Sequence, residues 1–523
     1  MKSYKHLFFI VALLIAVGCE EDVTELLPFD AIAEETAFDT PERIELVMNG
    51  VYDAAQSGFY RGAENNNRGY IFGAAHIQQS DMRGEDMLLI NTFYAFTYRS
   101  NYSPTTENNR YFWENGFRVV NLANLFIEGV TGAVEEGIIS QEEANSYIAE
   151  ARFLRGLTYH EMVIHFARPF RDNNGSEFGL PLYTIGNDSP GSVEQNATIG
   201  RSTVAETYNF ILEDLDYAEA NLPESRNGVL NIVRATSGAA IALKTRVKLH
   251  QGDWEGVITE SNKLVPQGAP FESPINGYAL TESADGPWTN NRSEENIFSM
   301  NMSANDNLNT NSALARMYGS SSLGARGEVA ISPIIWNEPF WHPDDLRRSL
   351  LVETGASDRL FTSKYRDYSN FTDFSPILRY AEILLNLAEA EARSNNTTRG
   401  SALLNAVRDR AISGAMTSYG TINDANELIG RILEERRIEY LAEGQRWKDI
   451  HRNAVDPLFS TGGIPAKMFS SDVSGSTYSI GDTESLPKSI NAIPHTDNRF
   501  LWPIPASEVV VNPVLAAQQN PGY

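Results

Sequence analysis

Residues 235–264 read ATSGAAIALKTRVKLHQGDWEGVITESNKL, and this stretch decides the fold. Ala239, Ala240, Leu243, Val247 and Leu249 give Ala235 to His250 a mostly small apolar face at helical spacing. Gln251-Gly252-Asp253 then makes a tight turn, and Trp254 to Leu264 reads as a second helix. Small side chains let two helices approach closely, and Trp254 caps the crevice between them.

Working outward, the same texture recurs. Upstream helices are expected over Pro41 to Gln56, Tyr111 to Glu128, Gln141 to Phe166 and Thr203 to Asn221, the last opening on a Thr203/Glu206 capping box. Downstream, Ile377, Ala381, Leu384, Leu385, Ala388 and Ala392 form an apolar stripe. Ala402, Ala406 and Val407 mark a second helix, and Ile429, Ile432, Leu433, Tyr440 and Leu441 a third. The 235–264 hairpin resembles a tetratricopeptide-type unit, although a strict 34-residue register is not readable across the chain. Residues 60–110 and 267–376 differ. They are rich in Asn, Ser, Gly, Pro and aromatics with weak periodicity, and read as long ordered loops over a helical scaffold, where binding sites tend to lie.

At the N-terminus, Lys2 and Lys5 precede the apolar run Leu7 to Val17, whose length suits a signal peptide and not a bilayer span. Ala16-Val17-Gly18-Cys19 resembles a bacterial lipobox, with Ala16 where leucine is commoner. Residues 1–18 are therefore expected to be removed and Cys19 lipidated, leaving 523 − 18 = 505 residues. Cys19 is the one cysteine, so no thiol remains for a disulfide, a thiolate–metal site or a nucleophile. Glu20, Glu21 and Asp22 follow at once, resembling a surface-export signal or forming a solvated tether over 19–40. No later stretch approaches the roughly 18 apolar residues of a membrane helix.

The chain carries 42 Lys+Arg against 68 Asp+Glu, a net charge of −26 that becomes −28 without Lys2 and Lys5. Such a surface repels nucleic acid and anionic headgroups and suits neutral or cationic ligands. No linker or composition break divides the remainder, so 41–266 and 267–523 are expected to pack as one unit.

Several stretches then carry a family resemblance. They are Ala149-Glu150-Ala151-Arg152-Phe153-Leu154-Arg155-Gly156 with the exit His165-Phe166-Ala167-Arg168-Pro169, and Arg379-Tyr380-Ala381-Glu382-Ile383-Leu384-Leu385-Asn386-Leu387-Ala388-Glu389-Ala390. Others are Glu434-Glu435-Arg436-Arg437 through Glu443-Gly444-Gln445-Arg446-Trp447-Lys448-Asp449, and the tail from Leu501-Trp502-Pro503-Ile504-Pro505 to Gln519-Asn520-Pro521-Gly522-Tyr523. Together they resemble the SusD/RagB nutrient-binding lipoproteins of Bacteroidetes over essentially the whole mature chain. The resemblance implies an all-α, tetratricopeptide-like scaffold with a loop-rich ligand-binding region. It also implies an outer-membrane location facing the exterior, and a SusC-like TonB-dependent transporter as partner. Capture of oligo- or polysaccharides, sometimes peptides, without catalysis or cofactor would be the function. An outer-membrane hydrolase of glycans or peptides, or a ligand-free transporter assembly factor, are the competing readings.

The charged motif itself reads as framework. Arg436/Glu439, Glu443/Arg446 and Arg446/Asp449 are each three apart, so Arg446 is expected to sit between two carboxylates on one helix face. Pro503-Ile504-Pro505 reads as an extended strap. His160 and His165 nearly spell a zinc motif, but five residues place them about 140° apart around a helix, where four would place them about 40° apart, so they belong to packing. Asp306, Asn307 and Asn309 lack a calcium-loop signature, and no metal is expected. Ser80-Asp81-Met82-Arg83-Gly84-Glu85-Asp86 is a polar cluster that would bind ligand, meet the transporter or cap a turn.

Sugar rings offer apolar C–H faces and hydroxyl edges, so a site for them wants flat aromatics with polar groups at the rim. Trp288, Tyr318, Trp336 and Trp341 in the second loop region, near Asn290, Asn301 and Arg316, supply such types. Tyr98, Arg99, Asn101 and Tyr102 do so in the first. The resemblance implies that the two regions meet on one face.

Overall fold

The computed structural model describes residues 36–60, 63–307 and 309–523, the side chains of 63–66 excepted. The expected signal peptide, Cys19, the acidic run and most of the tether lie outside the described residues.

Helix α1 (Pro41–Ser57) opens on Thr40, whose hydroxyl accepts the Arg43 amide at 3.3 Å, with Pro41 where its missing N–H costs nothing. There follow α2 (Ala74–Arg83), α3 (Glu107–Glu135), α4 (Gln141–Phe166), α5 (Pro190–Asn196), α6 (Val204–Asn221), α7 (Ser237–Gln251) and α8 (Trp254–Leu264). After a loop-rich segment come α9 (Tyr380–Arg393), α10 (Thr397–Asp409), α11 (Ala425–Glu439), α12 (Gln445–Arg452), α13 (Ala506–Val511) and α14 (Pro513–Ala517). The helices pack pairwise along the chain. α3 lies on α4, α4 on α6, α6 on α7, α7 on α8, α8 on α9, and α9 on both α10 and α11. This is the all-α, tetratricopeptide-like scaffold expected.

The α7–α8 hairpin is built as its sequence suggests. Ala239, Ala240 and Ala242 are fully buried, which lets α7 pack on several sides at once. Gly252 takes φ 72°, a left-handed stop that suits glycine, and the Asp253 carboxylate accepts the Gly256 amide at 2.9 Å to start α8. The Thr203/Glu206 capping box on α6 is present in both directions.

Three expectations shift. Ile377 lies in an extended segment and not in a helix, because Pro376 disfavours helix at Ser375 and the chain pairs there instead. α11 stops at Glu439, short of Leu441, where Ala442 (φ 65°) and Gly444 (φ 72°) turn the chain into α12. α3 runs longer than expected at both ends and contains a window of mean hydropathy 1.2, enough by length and composition to cross a membrane. It instead packs on α1 and α4 and carries Arg110, Glu114 and Arg118 along its length.

Strands are short and pair in twos among the described residues. Those that matter here are β1 (Phe59–Tyr60) with β2 (Ala63–Asn67), β3 (Met87–Leu89) with β5 (Val329–Ile331), and β4 (Asn296–Met300) with β6 (Ser375–Arg379), all antiparallel. The β3–β5 ladder ties the first loop region to the second.

Residues 501–505 are the expected extended strap. Trp502 is fully buried, its ring 4.3 Å from that of His165, and its amide donates to the His165 carbonyl at 2.9 Å. Arg201, between α5 and α6, donates to Gln518 O at 3.0 Å and Asn520 Oδ1 at 2.8 Å, fastening the tail to the first half.

Candidate functional site

The charged motif is architecture. Arg379 donates to Glu439 at 3.0 Å and to Glu443 at 2.8 Å, and also meets Glu295; Arg347 bridges Asp345, Glu435 and Glu439; Arg410 reaches Glu295 and Glu439. Burial works against the Glu439 carboxylate, but Arg410, Arg379 and Arg347 around it hold it well below the usual range. The local pairs expected around Arg446 do not form. Glu443 lies before the left-handed break at Gly444, so it shares no helix with Arg446, and it takes Lys364 and Arg379 instead. Asp449 binds Arg436 and Arg452, while Arg446 reaches across to Glu85 at 2.6 Å. The Ser80–Asp86 cluster belongs to the same framework. It lies in the buried end of α2 and the turn after it, with Asp86 on Arg437 at 2.5 Å. Asp81 accepts the Gly444 amide and the Tyr318 hydroxyl, and burial pushes its carboxyl up to about 7.

His160 and His165 face different neighbours: His160 meets His250 and Tyr208, and His165 meets Arg83 and Trp502. Both are packing residues. Asn307 and Asn309 spend their side chains on the local turn.

The aromatic residues singled out in the sequence are placed mostly inside. Tyr318 is fully buried and stacks on Tyr365. Trp341 is buried, and Trp336, half-buried, meets it edge to face at 5.2 Å, with the Arg348 guanidinium 4.1 Å and 4.4 Å from the two rings. Tyr98 donates to Met468 O at 2.8 Å, and Tyr102 donates to Arg499 O. Trp288 is 8% exposed, beneath a shallow cleft with Arg366, Asp367 and Asn370, and Lys364 and Arg379 lie over its ring. Arg99 and Asn101 are exposed, the former 5.3 Å from the Phe469 ring. As solvent-facing platforms, the buried members present no ring face.

The aromatic cleft lies beside them. α1 ends at Gly58, where φ is 56° and a Cβ would lie 1.4 Å from the Tyr70 carbonyl oxygen, so only glycine lets the two strands cross. The β1–β2 hairpin that follows returns the chain so that Arg68 N donates to Gly58 O at 3.1 Å. Arg68 thereby lies beside Tyr60, its guanidinium 4.5 Å from the Tyr60 centroid and 4.9 Å from Phe93. Tyr60 donates to the Glu107 carboxylate at the start of α3, and Tyr70 donates to Asn108 Oδ1 at 3.1 Å. Burial pushes the Tyr70 hydroxyl far above the ordinary phenol range, so it remains a neutral donor. Phe96 is 53% exposed at the rim, with Ser103, Thr105 and Thr106 opposite. The cleft encloses about 500 Å³.

The second loop region reaches this same wall. Beyond β3, Ile90 N donates to Glu328 O at 2.8 Å and Asn91 to Gly327 O at 3.4 Å. Arg326 lies 5.6 Å from the Phe93 ring and donates to Glu328 at 3.0 Å. The arrangement is a ring-lined depression with hydroxyls, one carboxylate and two guanidinium groups at its edge. It suits a neutral, hydroxyl-rich ligand. Tyr60, Arg68, Phe93 and Phe96 were not singled out by sequence reasoning. The glycine directly after α1, followed by two aromatics and an asparagine run, was the available signal for a tight hairpin.

Comparison with known proteins bears on this geometry. Residues 358–523 match the model described as the SusD family, and residues 29–249 match one described as starch-binding associating with outer membrane. The chain is 25% identical to SusD-like protein P2 of Formosa agariphila over the full length of both. A crystal structure of a SusD superfamily protein from Bacteroides fragilis superposes with a TM-score of 0.72 at 25% identity, covering 92% of this chain and 99% of that one. A laminarin-binding SusD-like protein shares the fold, with a TM-score of 0.67 at 18% identity over 92% of this chain and all of that one.

Proposed function

The chain belongs to the SusD/RagB family, and from that premise we propose that it captures neutral oligo- or polysaccharides at the outer membrane and presents them to a partner transporter. The observation that carries this reading is the Tyr60–Arg68–Phe93 cleft, where two loop regions meet. Phe96 and Phe93 offer apolar surface to sugar C–H faces, and Arg68, Ser103 and Thr105 stand where hydroxyls would be oriented. A net charge of −26 disfavours polyanionic glycans and leaves neutral or cationic ones.

Binding without turnover is the expected mode. Among the described lining residues Glu107 is the one carboxylate, whereas two-carboxylate glycoside hydrolysis needs a pair. The lipid on Cys19 would hold the protein at the outer face, and a TonB-dependent transporter would take the cargo. The description of one matching model as starch-binding and the laminarin-binding neighbour supply the first probes.

Titration calorimetry of the purified protein against laminari- and malto-oligosaccharides tests the reading, with Arg68→Ala as the control variant. Binding that Arg68→Ala weakens at least tenfold supports it. Silence on these and other neutral glycans, with binding of peptides instead, would sink the sugar assignment. Co-purification of a TonB-dependent transporter from detergent extracts of native cells tests the partnership, and recovery of the lipoprotein alone would count against it.

A further inference from the structure

A second cleft lies on the scaffold half, between α3, α5 and α13, and encloses about 410 Å³. Its position relative to the first follows from helix geometry. Glu107 lines the loop cleft and Arg118 lines this one. Eleven residues of α3 separate them, which is a rise of ~16 Å and only about 20° around the axis. Glu114 and Asn121 fall on the same stripe, and Phe117 and Val120 carry the second cleft further around the axis, so the two clefts adjoin along neighbouring faces of α3. Between them the surface is polar: Arg110 pairs with Glu114 at 2.7 Å, and Ser507 Oγ donates to Glu114 at 3.0 Å.

The walls of the second cleft are set before any ligand arrives. Asn121 Oδ1 accepts the Asn187 amide at 2.7 Å, and Asn196 Nδ2 donates to Asn187 Oδ1 at 2.7 Å and to Ile185 O at 3.0 Å. The Phe117 and Tyr183 rings meet edge to face at 5.1 Å. Val193 and Val511 are 51% and 66% exposed at the rim. Asn196 is 5% exposed, yet its Oδ1 is buried without a hydrogen-bond partner. An acceptor left in that state lacks a donor, which costs free energy. Burial also raises the Glu508 carboxyl in the same wall, against the Trp113 indole and the Arg110 charge, which lower it. Amide side chains, a carboxyl, ring edges and short aliphatic surface together match a hydroxylated ring with an apolar face.

We infer that this α3–α5–α13 cleft is a second saccharide subsite, aligned with the loop cleft along α3, so that one glycan chain spanning ~16 Å engages both. The inference rests on the sugar-capture reading of the loop cleft and adds chain-length selection to it. Two linked contacts on one ligand multiply affinity by effective concentration, so long chains would bind far more tightly than short ones.

Calorimetry with laminari- and malto-oligosaccharides of two to ten units tests it, on the purified protein, on Arg68→Ala, and on Asn121→Ala and Glu508→Gln separately. In whichever series binds, the wild-type protein is expected to gain at least tenfold in affinity from the shortest to the longest chain. Asn121→Ala and Glu508→Gln should abolish that gain and leave the shortest chain's affinity unchanged. Thermal melts of both variants confirm folding, and Glu508→Gln, nearly isosteric, covers the case in which Asn121→Ala does not fold. A flat length dependence, or a gain untouched in the folded variants, overturns the second subsite while leaving the first reading intact. Absence of binding in both series at every length, with Arg68→Ala indistinguishable from wild type, overturns both readings.

Discussion

Arginine meets carboxylates and aromatic rings in two regions of this molecule, with opposite outcomes. Around Glu439 the guanidinium groups of Arg347 and Arg379 are buried and every nitrogen of each donates within the chain, while Arg410 adds its two terminal nitrogens. In the loop cleft Arg68 lies between two rings with a solvent-facing edge beside exposed Phe96. The first arrangement joins helices; the second leaves chemistry available. Identical residue types therefore do not announce which they are. What separates them is how many of their hydrogen-bonding directions the rest of the chain has already filled.

The contrast can be broken most severely through the buried side. Five of the eight histidines, His76, His160, His165, His250 and His451, lie inside the joint between the early helices and α12, and burial lowers the pKa of each. His76 falls to about 4 and His451 to about 3. Unfolded histidines take up protons from about pH 6.5 downward while these do not, so stability is full above that pH and falls as pH drops toward 4. Asp81, raised to about 7, acts in the opposite sense and offsets one of them. Each histidine contributes about 1.4 kcal/mol per pH unit, so a net fall of about 3 kcal/mol or more per unit is expected in urea titrations between pH 6.5 and 4.5. A flat profile would mean that the cluster is charged in the fold.

Next in size, Arg379→Ala should leave Glu295, Glu439 and Glu443 buried with less compensation. A cost of about 3–5 kcal/mol is expected by chemical denaturation. A cost under about 1 kcal/mol would remove the distinction between the two regions. On the open side, Arg68→Ala is expected to weaken glycan binding by about 1.4 kcal/mol, or tenfold, with unfolding changed by less than about 1 kcal/mol. Loss of both together would make Arg68 a framework residue. The smallest effect belongs to the exposed Arg110–Glu114 pair on α3, where Arg110→Ala should alter stability by no more than about 0.5 kcal/mol.

The same contrast explains what the sequence disclosed. Helices such as Gln141–Phe166 and Trp254–Leu264 were legible to the residue, because apolar period and capping boxes are local. The framework motif was legible as framework, but its pairings were not. Arg446 finds Glu85, 361 positions away, and nothing local encodes that choice. The cleft was legible only as a region. Trp341 and Tyr318 looked like sugar platforms by type, yet Trp336 and Arg348 cover the one and Asp81 and Tyr365 the other, whereas Tyr60 and Arg68 depend on a glycine crossing and a hairpin. Aromatic identity is visible in a sequence, and exposure is a property of distant neighbours.

The attachment of residues 518–520 to Arg201 joins segments 317 positions apart. The side chain of Arg201 donates not only to Gln518 and Asn520 but also to the Phe166, Phe178 and Gly179 carbonyls, and Asn520 donates to Phe166 O at 2.8 Å. Closing so long a loop carries an entropic cost that nearer contacts do not, so these hydrogen bonds belong among the last contacts of the fold to form.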